Sequence, residues 1–196
     1  MALALILLVG AAAVALATGG SWSTFANLPL KARRLVVIAV LAQLLGGGLA
    51  RVTNLHGFYP AGLAVSALAA LAFCIRNIRL AGVPLITLGL LSNALVVSLN
   101  GAMPVSIAAA ARANVPILEI AAGNDARHTI AGRDSTLRSF GDVIPLPLPW
   151  RPEVVSPGDA LVAAGLGELV LLGMRPRRRK VAATPRQEPA GSVVLT

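Results

Sequence analysis

Charged residues are unevenly spaced along the chain, and the gaps between them set the predicted architecture. No charged side chain lies between Met1 and Lys31, and residues 2–17 inside that gap are almost wholly aliphatic. A second gap covers residues 35–50. A third lies between Arg51 and Arg76, with its apolar part at 58–75, and a fourth between Arg79 and Arg112, with its core at 80–99. A weaker fifth segment, 160–174, carries Glu168. The hydrocarbon core of a bilayer is spanned by about 20 apolar residues of helix, each rising roughly 1.5 Å. Backbone amides in lipid have no water to bond, so such runs are expected to be helical. The pattern therefore predicts an all-α integral membrane protein with about five transmembrane helices. Ala15-Leu16-Ala17 has the small-residue form of a signal cleavage site, but no basic residue precedes the apolar run, so a retained first helix is expected.

Composition sharpens this picture. Of 196 residues, 56% are hydrophobic and 13% charged, about half the usual globular share of roughly a quarter. Disorder requires low hydrophobicity, which excludes it for most of the chain. Cys74 is the single cysteine, so no intrachain disulfide can form. The net charge of +9 suggests nucleic acid at first sight, but aromatics are only 4% and form no stacking platform among the bases, so no nucleic-acid partner is expected.

The bases instead suggest an orientation. Lys31, Arg33 and Arg34 lie in the first connection, Arg51 in the second, and Arg76 and Arg79 in the third. Arg175, Arg177, Arg178, Arg179, Lys180 and Arg186 follow the fifth segment. Cytoplasmic loops carry the excess of Lys and Arg. The expected arrangement has the N-terminus outside a bacterial plasma membrane and the C-terminus in the cytoplasm. The weak fifth segment is counted as a span because otherwise the basic tail would lie outside. Residues 1–174 then form the bundle, with a structured external loop at 101–159. Residues 175–196 form a disordered tail that could meet anionic lipid headgroups.

Candidate chemistry is sparse. Asn93 and Asn100 are seven apart and share a helix face, where amides in lipid find partners across helix interfaces. Asn100-Gly101 suits a helix C-terminus, and Pro104 stops continuation. Ser106 opens a short amphipathic helix at 106–113. Residues 123–133 read as turns with a small hairpin, and the alternating prolines at 145, 147 and 149 read as an extended, polyproline-like path. Ser156 and Pro157 suit an N-cap and a first helical residue. Asp142 is a candidate carboxylate outside the bundle. Glu168 is the ionisable group inside a span, at a cost on the order of 2.5–3.5 kcal/mol if central. It could pair with Gln43, Asn93, Asn100 or a tail arginine. Gly165-Leu166-Gly167 reads as small-residue packing. His56, His128 and Cys74 lack metal-ligand spacing, and no cofactor or metal is expected.

Two motifs carry a resemblance. Asn100-Gly101-Ala102-Met103-Pro104-Val105-Ser106 is followed by Phe140-Gly141-Asp142-Val143-Ile144-Pro145-Leu146-Pro147. The chain resembles a family of small, largely actinobacterial, multi-pass membrane proteins carried as a domain of unknown function. The resemblance implies a helical membrane architecture and brings no catalytic residues. The leading expectation is a non-enzymatic membrane component, a scaffold or accessory subunit of an envelope complex with a membrane-protein partner. A small transporter or channel would instead need a polar path through Gln43, Asn93, Asn100 and Glu168. A lipid-active enzyme would need Asp142 to converge with His128 or Arg138.

Overall fold

The aliphatic runs do form helices. The computed structural model describes residues 2–53, 58–122, 125 and 127–176. The longer helices are α1 (Ala2–Ala17), α3 (Arg34–Thr53), α4 (Phe58–Arg76), α5 (Val83–Asn100) and α8 (Pro157–Gly173), with a short α2 (Trp22–Ala26) between the first two. His56, residues 123 and 124 of the predicted turn, and the tail from Arg177 onward lie outside the described residues.

Five transmembrane helices are not what these runs amount to. Among the described residues, only α5 is both long and apolar enough to cross a membrane. Length is the physical reason. The 16 residues of α1 rise only about 24 Å, short of a hydrocarbon core of about 30 Å. Among the described residues the apolar stretches within α3 and α4 are Arg34–Gly46 and Ala64–Arg76. Helix α8 has 17 residues and includes Asp159 and Glu168. The chain is also not all-α. Strands β1 (Met103–Val105) and β2 (His128–Ile130) pair in parallel, and β3 (Ile144–Leu146) and β4 (Glu153–Val155) pair antiparallel.

Helix α8 packs between α1 and α5, while α3 packs on α4. The α5–α8 contact depends on glycine. A Cβ on Gly165 would stand 2.8 Å from the Ile86 nitrogen, and one on Gly89 would meet the Gly158 carbonyl. Such small residues let helix backbones approach closely. Gly167 faces the other way, toward Leu7 of α1. Small-residue packing is thus the role of the Gly165–Gly167 pair.

Two hydrogen-bonded ends define the directions of these helices. At one end the Glu153 carboxylate accepts from the Ala2 and Leu3 amides at 3.0 and 2.9 Å. At the other the Ser21 amide donates to the Met174 carbonyl at 2.9 Å. Helices α1 and α8 therefore run side by side in the same direction. The α5 C-terminus lies at the Glu153 end, so α5 is antiparallel to both. Near the Met174 end, the Asn77 carboxamide clips the Lys31 backbone, accepting from its amide at 2.8 Å and donating to its carbonyl at 2.9 Å. The connection bearing Lys31 is thereby held against the turn bearing Arg76 and Arg79.

Candidate functional site at the polar cap

The segment between α5 and α8 folds into a cap over the Glu153 end of the bundle. It begins where α5 stops. Gly101 takes a left-handed φ of 78° and its amide returns to the Val97 carbonyl, a conformation that favours glycine. Asn100 donates from its carboxamide to the Val96 and Thr136 carbonyls and accepts from the Thr136 amide at 2.8 Å. It therefore pins the loop around Thr136 to the helix end. Ser106 caps α6 (Ile107–Ala113) through its hydroxyl, as the local sequence predicts.

The two sequence motifs meet here. The Asp142 amide donates to the Pro104 carbonyl at 2.8 Å, and the Ser106 amide donates to the Asp142 carbonyl at 2.9 Å. Asp142 thus bridges to Val105 and flanks β1, whose other pairing is with β2. The approach is close enough that a Cβ on Gly141 would collide with the Pro104 carbonyl. Residues 100–106 and 140–147 are therefore halves of one local structure. The proline-rich stretch does not lie as a free polyproline path. Pro145 sits in β3, opposite Val154 of β4, where a two-stranded ribbon tolerates its missing donor. The predicted hairpin at 123–133 is also replaced, because β2 pairs with β1 rather than with a neighbour in sequence.

This backbone arrangement gathers carboxylates and a histidine. Asp142 is only 4% exposed. Its Oδ2 lies 3.6 Å from His128 Nε2, and His128 Nδ1 lies 2.7 Å from Asp125 Oδ2. The imidazole thus stands between a partly exposed carboxylate and a buried one. Burial and the negative charge of Asp159 push the Asp142 carboxyl up to about 7, with His128 offsetting part of the rise. Burial would raise Asp125 as well, but the Arg127 amide and His128 outweigh it and lower its pKa. Opposite desolvation and pairing balances thus separate the two acids flanking one histidine.

Asp159 belongs to a second cluster at the α8 N-terminus. Ser156 caps the helix through a reciprocal box with Asp159, and Pro157 follows as the first helical residue. Asn93 joins this box from α5. Its carboxamide donates to Asp159 Oδ1 at 2.8 Å and accepts from the Ser156 hydroxyl at 2.9 Å. Asn93 and Asn100 are indeed on one face of α5, but they serve different partners. Glu168 joins neither of them. It is half-buried on α8 and has no hydrogen bond or ion pair among the described residues. Arg138 does not converge on Asp142 either; it lines a separate cavity of about 280 Å³ with Ser106 and Val143. Sequence reasoning missed the roles of Asp159 and Glu153. Both act on residues more than 60 positions away, and no local spacing signals such contacts.

Comparison with curated proteins and with solved structures finds no match. A family model does match, over residues 27–171. That stretch contains both motifs, the whole cap, and α3 to α5. The chain belongs to the family of unknown function DUF5317.

Proposed function

We propose that this protein is a non-enzymatic membrane component, held in a bilayer through α5 and the apolar faces of its neighbours, whose polar cap engages a protein partner. The observation that supports this reading is the apolar surface the helices leave uncovered. Leu5 and Val9 on α1, Leu44 and Leu45 on α3, Leu68 on α4, and Leu95 on α5 are all more than half exposed. So many exposed large aliphatic side chains on four helices fit membrane or protein contact better than exposure to water. Satisfaction of the cap's polar groups fits a structural platform. Among the described residues no buried side-chain nitrogen or oxygen lacks a partner.

The test has three parts. Alkaline carbonate extraction of membranes should leave the protein in the pellet, and release into the supernatant would refute membrane residence. Affinity purification from mild detergent should recover a stoichiometric partner; recovery of the chain alone would refute the subunit role. In the proposed orientation the cap is external to the cell. A Ser135→Cys variant should then be labelled by an impermeant maleimide in intact cells, and protection there would reverse the orientation.

A second reading rests on the Asp125–His128–Asp142 alignment. A histidine oriented by one carboxylate beside a second that titrates near neutrality has the parts of a general acid–base site. Its substrate would be a lipid reaching the cap from the bilayer. Purified protein incubated with a membrane lipid extract would then produce a new species by mass spectrometry. The product should vanish with Asp142→Asn. An unchanged lipid profile would remove this reading and leave the first.

A further inference from the structure

The end of the bundle opposite the cap holds a cavity of about 400 Å³ between α2, the α4–α5 turn and the end of α8. Arg79 and Arg175 both line it, with Thr24 and Asn27 on one side and Leu169 and Leu172 on the other. Neither arginine side chain has a hydrogen bond or ion pair among the described residues. Both arginines are exposed, and an anion between them would relieve the repulsion that solvent screening leaves. The guanidinium fork matches phosphate oxygens in particular. Among the described residues no carboxylate lines the cavity, and Glu168, the α8 carboxylate nearest in sequence to its lining, forms no ion pair with either arginine. Lys31, Arg33, Arg34 and Arg76 lie in the adjacent connections, held there by the Asn77 clip. The carboxylates of Asp125, Asp134, Asp142, Glu153 and Asp159 belong to the cap segment at the far end.

The apolar wall distinguishes one phosphate source from another. Free phosphate needs no leucines, whereas Leu169 and Leu172 offer a surface for glycerol and acyl carbons. Leu172 is itself 39% exposed, so that surface continues onto the outer face of α8. We propose that this cavity is a binding site for the phosphate headgroup of an anionic glycerophospholipid, clasped between Arg79 and Arg175. The proposal rests on the membrane reading above, and the experiment separates the two.

The full chain, purified in neutral detergent, is titrated with phosphatidylglycerol, phosphatidylcholine or inorganic phosphate. Bound lipid is counted by native mass spectrometry. Phosphatidylglycerol adducts should persist where phosphatidylcholine is lost. The double variant Arg79→Gln/Arg175→Gln should bind phosphatidylglycerol at least tenfold more weakly. Arg79→Lys/Arg175→Lys should recover most of the charge-driven binding, which separates loss of the site from loss of the fold. Lys31→Gln/Arg34→Gln, two bases outside the cavity lining, should bind as wild type does. Equal retention of both lipids, or wild-type binding by the double glutamine variant, would overturn the proposal. Inorganic phosphate displacing phosphatidylglycerol at equal concentration would also overturn it, by making the free anion the ligand. Carbonate release combined with arginine-dependent lipid binding would refute membrane residence and leave the cavity assignment standing.

Discussion

The buried Asp142 carboxyl makes a quantitative prediction about stability and pH. Its pKa in the folded chain is about 7, against an ordinary value of 3.8. A raised acid binds its proton more tightly folded than unfolded. Its contribution is therefore fully present below the unfolded value and is lost as pH rises through about 7. Integrated over the titration, the change between pH 5 and pH 8.5 comes to about 3 kcal/mol. A chain of this size gains or loses about 2–4 °C per kcal/mol, so the midpoint should fall by about 5–10 °C over that interval. The assay is thermal unfolding in detergent at several pH values, comparing wild type with Asp142→Asn. The amide has the same shape but no titrating proton. The difference between the two proteins isolates Asp142, because every other group titrates in both. Asp125 and Glu153 have lowered values, so their contributions are lost as pH falls through their depressed folded values, below the interval measured. Wild type should lose stability relative to the variant as pH rises from 5 to 8.5. A parallel pair of curves, or a relative gain by wild type, would refute the burial argument.

Three further outcomes follow from the packing. Gly89→Leu drives a side chain into the Gly158 backbone and Val162, and should destabilise by about 3 kcal/mol or more, read as loss of a cooperative melt. Glu153→Gln weakens the acceptor of the Ala2 and Leu3 amides, worth about 1.5–3 kcal/mol for a charged partner; faster proteolysis at the α1 N-terminus should report it, and unchanged cleavage would deny the tether. Glu168→Gln should shift stability by less than about 0.5 kcal/mol, as for a half-exposed group without a partner among the described residues; a gain above about 1 kcal/mol would mean that the carboxylate faces hydrocarbon.

The legible parts of the sequence were those with local causes. Ser156-Pro157 at the start of α8, Ser106 before α6 and Asn100-Gly101 at the end of α5 each act within one helical turn, and each stands where the sequence places it. The span count failed for a related reason. A gap between charges measures helix plus any uncharged turn, and the turn after α1 is uncharged. Residues 18–30 contain Gly19, Gly20, the Ser21 cap and Pro29, none of which is charged or helical. The strands were illegible because three-residue ladders have no periodicity to read. Their pairing depends on partners such as Val154 opposite Pro145. The Asn93–Asp159 bond was hidden in the same way: each residue signals a local role, and only the α5–α8 approach unites them.

The meeting of the two motifs gives Asp142 its significance. Its backbone is committed on both sides, to Pro104 and to Ser106, while Gly141 supplies the room that this approach needs. The fold therefore requires a residue at 142 that can extend alongside β1, and most side chains could do that. A carboxylate is the expensive choice, since its ionised form is buried near Asp159 with His128 as partial compensation. Packing alone would be better served by an amide or an apolar group. The backbone bonds survive substitution of the side chain, so Asp142→Asn separates the two roles. If the variant is as stable and as well capped as wild type but loses its partner, the carboxylate is there for what the cap does rather than for how it folds.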